Sequence, residues 1–330
     1  MRPGLRGRNL TWTLACRTPV AQWDKHPTQG GIHVAQPRFG RLITAMVTPF
    51  TADDTLDLPR AAELADRLLA SGSEALVVCG TTGESPTVFY DQKIDLFRTV
   101  IDAVAGRAPV IANAGDNCTD DSVEFARKVA ALGVDGIMCV VPYYNKPPQE
   151  GLYQHFSAIA HAVEVPVVLY NIPGRCVINM EAATTLRLAH DVDNIVAVKE
   201  ASGILHQIAQ IVDGAPDGFE VLSGDDEMTL PMLGLGGTGV ISVASHVAGP
   251  QMAEMIAAQV AGDHTRALRL HLELLPLFKG LFKTANPILV KEALKLQGFD
   301  VGGTRLPLVP ATFEQSAELR TTMERLGLLS

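Results

Sequence analysis

Eight short apolar segments recur along this chain, with helix-spaced sequence between them. They are Leu42–Val47, Ala75–Cys79, Pro109–Ala112, Gly136–Val141, Pro166–Tyr170, Ile195–Val198, Phe219–Leu222 and Gly239–Val243. Their length fits strands and not helices. The intervening sequence has helical spacing and start signals. Leu64, Leu68 and Leu69 follow Asp57 as an N-cap with Pro59 in the first turn; Phe125, Val129 and Leu132 follow Asp120; Phe156, Ile159 and Val163 follow Gly151. Strand and helix alternating eight times, at intervals of roughly 20 to 35 residues, predict a (β/α)8 TIM barrel over residues 41–262. A doubly wound sheet is the alternative. It would need fewer strands and usually a Gly-rich turn after the first, which Thr48-Pro49-Phe50 does not supply.

The two ends of the chain differ from this repeat. Residues 1–40 carry Arg2, Arg6, Arg8, Arg17, Lys25 and Arg38 against a single acid, Asp24, with recurrent Pro and Gly and no sustained apolar period. They read as a disordered extension; the segment has no serine and only weak amphipathicity, which argues against a transit peptide. After Gly262 the strand signal ends. Asp263–Leu281, Pro287–Gln297 and Phe313–Leu326 read as helices, with Gly298–Pro310 as a linker, Thr312 and Gln315 as a capping box and Gly327 as a stop. The expectation is a small all-helical domain over residues 263–330.

Bulk properties exclude several classes of function. A net charge of -9 argues against a nucleic-acid or acidic-surface partner. No apolar run approaches the ~20 residues that a membrane-spanning helix needs. The five cysteines, Cys16, Cys79, Cys118, Cys139 and Cys176, include no CxxC pair, as expected of reduced thiols in a cytoplasmic protein. The nine histidines form no HExxH motif and no close Cys/His cluster, so no metal site is expected. Gly234–Gly239 satisfies GxGxxG but precedes a strand instead of following one, which removes the dinucleotide reading. Asp225-Asp226 reads more simply as a helix N-cap with first-turn acids than as a metal pair.

The chemistry points to Asn194–Gly203. Ile195–Val198 is a short apolar run rich in β-branched residues, which reads as a strand buried on both faces, and Lys199 stands at its end. A lysine there packs its stem in low dielectric, and desolvation favours the neutral, nucleophilic amine. Lowering a lysine from ~10.4 to about 7 costs roughly 5 kcal/mol. The competing reading is a lysine that reaches the surface and pairs with Glu200. In a barrel the other strand ends share its face. After the second strand, Gly80–Ser85 offers two glycines, two hydroxyls and a helix N-terminus, a combination able to hold a carboxylate. After the fourth comes Tyr143–Pro147. The fifth runs into Tyr170–Arg175, a phenol able to relay protons and a guanidinium able to fork a carboxylate.

These motifs, together with Ser223–Asp226 and Gly239–Ser242, resemble those of the dihydrodipicolinate synthase family within the pyruvate-dependent class I aldolases. The likeness runs in order from about Arg41 to the C-terminus. It implies that Lys199 forms a Schiff base with pyruvate, whose enamine adds to L-aspartate 4-semialdehyde, with no metal or organic cofactor. Tyr170 would be the general acid/base, and Thr81 would link it to Tyr144. In the family the tyrosine matching Tyr144 reaches the neighbouring subunit's site, which implies a dimer at least and typically a tetramer. Thr82 would hold the pyruvate carboxylate and Arg175 that of the semialdehyde, with Gly224 and Ile241 lining the pocket.

An allosteric lysine site would draw on Ser85, Tyr90, Lys93, Asn117, Asp121 and Tyr143. Lysine-sensitive members often carry histidines where this chain has Tyr90 and Lys93. The cation at Lys93 would repel bound lysine, so weak or absent inhibition is expected. Cys176 follows the arginine where threonine is common. A sister lyase for keto-deoxy sugar acids could use the same Lys199 and Tyr170, but a sugar tail calls for hydroxyl-matching groups and not for Arg175. A non-catalytic metabolite sensor would have no need of the relay.

Overall fold

The computed structural model describes residues 37–329; the extension expected over residues 1–40 lies outside the described residues as far as 36. The strands are β1 (Leu42–Ala45), β2 (Ala75–Val78), β3 (Val110–Asn113), β4 (Gly136–Val140), β5 (Val167–Asn171), β6 (Ile195–Glu200), β7 (Glu220–Ser223) and β8 (Gly239–Ser242). They close in sequence order into a parallel barrel. All eight segments singled out in the sequence are strands, and the doubly wound alternative is excluded by the β1–β8 pairing.

The first helices are α1 (Leu58–Ala70), α2 (Tyr90–Val104), α3 (Thr119–Ala130), α4 (Gln149–Ala160), α5 (Pro173–Cys176) and α6 (Ala182–Asp191). Then come α7 (Leu205–Gly214), α8 (Thr229–Gly234), α9 (Ser245–Val260), α10 (His264–Gly280), α11 (Ile288–Leu296) and α12 (Phe313–Arg325). Asp57 caps α1 by accepting from Arg60 N at 3.0 Å, as its sequence signal predicts. Asp120 does not cap α3: that helix begins at Thr119, leaving Asp120 and Asp121 as first-turn acids against the helix dipole. Both bonds of the Thr312/Gln315 capping box form, and Gly327 ends α12 in the left-handed region.

Alternate strand residues point inward. Ile43, Ala45, Ala75, Val77, Ile111, Met138, Val168, Ala197, Leu222 and Ile241 fill the barrel interior, and Phe39 joins them as a plug. The outward set (Leu42, Leu76, Val78, Ala112, Ile137, Leu169) packs against the helices. This period of two follows from the pleat. The helices after Gly262 follow the expected order. α10 carries its own cap, Asp263 accepting from Arg266 N.

Candidate active site

The ends of β5 and β6 build the reactive pair. Tyr170 and Lys199 are opposite one another in the parallel ladder, so both side chains enter the barrel mouth on the same face. The Lys199 Nζ lies 4.2 Å from the centre of the Tyr170 ring. A register shift makes this pairing. Val167 pairs with Ile195 but Val168 pairs with Ala197, so Val196 is an extra residue on β6. Without that bulge, the ladder would set Val198 beside Tyr170 and turn Lys199 outward, because a one-residue slip exchanges the faces.

Lys199 is only 5% exposed. Burial, with a smaller contribution from Arg175, pushes its pKa down to about 7 against the opposing pull of Asp226. The neutral, nucleophilic amine is then accessible near pH 7, as the sequence reading expects. Burial pushes the Tyr170 phenol the other way, up to about 12, while the Thr81 side chain favours its ionised form. Tyr170 therefore holds its proton at neutral pH and can donate it.

Lys199 and Glu200 do not pair. Glu200 is the last residue of β6, so the strand runs two residues past its predicted end at Val198. Its carboxylate points to the opposite face and accepts from Ser202 N at 2.7 Å, Asn171 Nδ2 at 3.0 Å and Gln207 Nε2 at 3.2 Å. Asn171 Oδ1 in turn accepts from Met180 N at 2.9 Å. This buried network ties β5 to β6 behind the site and spans the loop that carries Arg175.

Gly224, just past β7, gives Lys199 its space. A Cβ there would come within 2.6 Å of Ala201 Cβ and 3.2 Å of Lys199 Cε. Ile241 lies on the inner face beside it. The N-cap reading of Asp225-Asp226 is not what forms: α8 begins only at Thr229 and has no side-chain cap. Asp226 instead turns inward, and its Oδ2 accepts from Val243 N at 3.1 Å and Ala244 N at 2.9 Å. Asp225 stays at the rim, and burial raises its pKa to about 6. Among the described residues no cluster of three or more His, Cys, Asp or Glu is placed to hold a metal ion.

The loop after β2 carries Thr81 and Thr82. Gly83 allows this loop to fold back, since a Cβ there would come within 2.7 Å of Cys79 Cα. Thr48 Oγ1 donates to Gly83 O at 2.6 Å and holds the turn from β1. Thr81 faces a cavity of ≈ 480 Å³ that also reaches Ser85, Tyr90, Lys93, Tyr143 and Arg175. Four of the six expected allosteric residues thus share one cavity with Thr81 and Arg175. Asn117 stands behind it, donating to Tyr143 O at 3.2 Å. Asp121 is exposed in the first turn of α3 and is not among the lining residues. The acid that does line the cavity is Asp116, which accepts from the Tyr143 hydroxyl at 2.8 Å and the Tyr90 hydroxyl at 3.2 Å.

Tyr144 is not brought to this chain's own Lys199. It is 91% exposed and holds a left-handed backbone at φ 73°. That conformation costs a non-glycine residue about 1–2 kcal/mol.

Residues 38–326 match the Dihydrodipicolinate synthetase family. The chain belongs to this family. It is 58% identical over 293 residues to the 4-hydroxy-tetrahydrodipicolinate synthase of Symbiobacterium thermophilum, covering 89% of this chain and all of that one. The enzyme of the same name from Moorella thermoacetica is 56% identical, over 88% of this chain and all of that one. Among solved structures, the family member from Cyanidioschyzon merolae with lysine bound superposes with a TM-score of 0.88. It is 50% identical, over 89% of this chain and 100% of that one.

Dihydrodipicolinate synthetase family membership accounts for the motifs read from the sequence, but several polar residues at the site left no motif. Asp116 is one, and Asp226, read from the sequence within Ser223–Asp226 as an N-cap acid, gave no sign of its inward role. Asn286 and Lys291, far along the chain, are two more: they reach the β2 loop by side-chain contacts. For Lys291 the nearest available signal was a charge within an amphipathic helix, which surface positions produce equally well; Asn286 precedes that helix and left none.

Proposed function

We propose that the chain catalyses the condensation of pyruvate with L-aspartate 4-semialdehyde, the 4-hydroxy-tetrahydrodipicolinate synthase reaction of diaminopimelate and lysine biosynthesis. The reaction proceeds through a Schiff base on Lys199. The observation that carries this reading is the buried amine beside Tyr170, with its pKa held near 7. The neutral amine adds to the ketone of pyruvate, water leaves, and the protonated imine acidifies the adjacent methyl group. The resulting enamine attacks the aldehyde of the second substrate. The amino group of that substrate then displaces Lys199 as the ring closes.

Each step moves a proton, and Tyr170, protonated at neutral pH with its ring 4.2 Å from the amine, is the proton donor. Thr81 would pass protons onward to the partner subunit's Tyr144. The exposure of Tyr144, and of Phe89 and Val177, favours a dimer as the minimum active unit and is compatible with a tetramer. Thr82 and the loop amides hold the pyruvate carboxylate, and Arg175 at the cavity wall takes the carboxylate of the semialdehyde. Gly224 and Ile241 shape the space around the imine. The imine is itself the electron sink, so the chemistry calls for no cofactor. No helix among the described residues is long and apolar enough to cross a membrane, and we place the enzyme in the cytoplasm.

Trapping tests the assignment. Incubation with pyruvate and borohydride should add roughly 72 Da to one lysine, the mass gained by reductive amination. Peptide mapping should find it on Lys199, and Lys199→Ala should lose it. An adduct retained on another lysine in the variant would falsify the central assignment.

A further inference from the structure

The loop that carries Thr81 and Thr82 is held from the far end of the chain. Asn286, between α10 and α11, donates from Nδ2 to Thr82 Oγ1 at 2.8 Å, and both residues are buried. Two residues further along the loop, Glu84 takes a left-handed backbone at φ 56° and turns its carboxylate away from the cavity. There it meets Lys291 of α11: Nζ and Oε1 are 2.6 Å apart, with the two side chains 3% and 1% exposed. Arg305 N donates to the other oxygen, Oε2, at 2.9 Å. Lys291 also donates to Gly303 O at 2.6 Å and lies 4.4 Å above the Phe50 ring, while the Arg305 guanidinium lies 4.3 Å from the same ring. Arg305 further donates to Thr87 O at 2.7 Å and Gln92 Oε1 at 2.8 Å.

Packing alone does not explain this arrangement. A buried ion pair is weak evidence for stability, because desolvating both charges offsets their attraction. Such a pair is better suited to fixing one geometry. The Thr82 oxygen already accepts from Asn286, so its hydroxyl proton is left to be given to another acceptor. A carboxylate that sits at this loop would be such an acceptor.

We propose that Asn286 and Lys291 are positioning residues for the ketoacid carboxylate: Asn286 orients the Thr82 hydroxyl, and the Lys291–Glu84 pair fixes the loop on which Thr82 and Thr81 stand. This rests on the reading of Lys199 as the pyruvate-binding amine. The segment after the barrel thereby becomes part of the ketoacid site although none of its side chains need touch the reacting carbon.

The test uses the full chain and measures the pyruvate concentration that half-saturates borohydride trapping at Lys199, with no second substrate present. Asn286→Ala should raise it about five- to tenfold, the loss expected for one orienting hydrogen bond. Asn286→Asp, which keeps the shape but cannot donate and adds an anion, should raise it further. In steady state the Michaelis constant for the semialdehyde should change less than twofold. Lys291→Met leaves the Glu84 carboxylate buried without its counter-charge, and that variant can fail to fold. The double variant Glu84→Gln, Lys291→Met removes both charges at similar volume, so it should fold while still needing severalfold more pyruvate. Unchanged half-saturation in Asn286→Ala and in the folded double variant, with only a lower melting temperature, overturns the proposal. Absence of any pyruvate adduct in the unaltered protein would instead overturn the reading of Lys199.

Discussion

At the scale of the residue, Lys199 is tuned by burial. Its folded pKa near 7 stands against about 10.5 for an exposed lysine. Between those values the unfolded chain binds more protons than the folded one, so stability rises with pH across that window. Below pH 7 the whole cost of burying the amine is present; above about pH 11 it has vanished. Lys199→Met should therefore stabilise the fold by about 3–5 kcal/mol at neutral pH, and the gain should shrink to nothing near pH 11. Chemical denaturation across that pH range measures it, and a gain independent of pH would mean that the amine is not depressed. Tyr170 is the complement. The same burial that frees Lys199 of its proton keeps the phenol protonated, so one apolar interior sets nucleophile and acid together.

At the scale of the element, the ends of β5 and β6 act as one piece. The bulge at Val196 turns Lys199 inward, and the following residue, Glu200, is locked outward by Asn171, Ser202 and Gln207. Asn171 also fastens Met180, so α5 and Arg175 hang between two fixed points. Asn171→Ala should cost about 2–3 kcal/mol, because a buried carboxylate loses a donor. It should also raise the Michaelis constant for the semialdehyde more than that for pyruvate. A shift in the urea midpoint at constant m-value, together with steady-state kinetics, checks both effects. If both Michaelis constants rise equally, the network holds the whole site and not the Arg175 loop in particular.

At the scale of the whole molecule, the cavity joins the strand ends to a wall of exposed aromatics. Lys93 is 7% exposed and lines it, with its Nζ 5.2 Å from the Tyr90 ring and 5.6 Å from the Phe125 ring. A lysine molecule bound there would bring a second ammonium into the same space. Two such charges about 4–6 Å apart repel by roughly 1 to 3 kcal/mol, up to about two decades in affinity. L-lysine should accordingly inhibit weakly or not at all, even though the Cyanidioschyzon merolae relative is a lysine-bound structure. A titration of activity with L-lysine decides this; half-inhibition at sub-millimolar concentration would show that Asp116, beside Tyr90 and Tyr143, outweighs Lys93.

The barrel was legible in the sequence because its cause is local. A parallel strand buried on both faces must be a short apolar run, and eight such runs with helical spacing between them leave few other ways to bury them. Lys199 stood out for the same reason, as a charge at the end of one of those runs. What the tertiary structure decided lies in pairings that leave no local period. The bulge at Val196 exists only relative to β5. Glu200 could not be distinguished from a partner of Lys199 until β6 was extended and faced Asn171 and Gln207. On α11, Lys291 and Lys295 are equivalent by pattern, yet one is buried on Glu84 and the other is exposed. An amphipathic helix places a lysine at such a position whether it meets water or a carboxylate some two hundred residues away. Only the closed fold selects between the two.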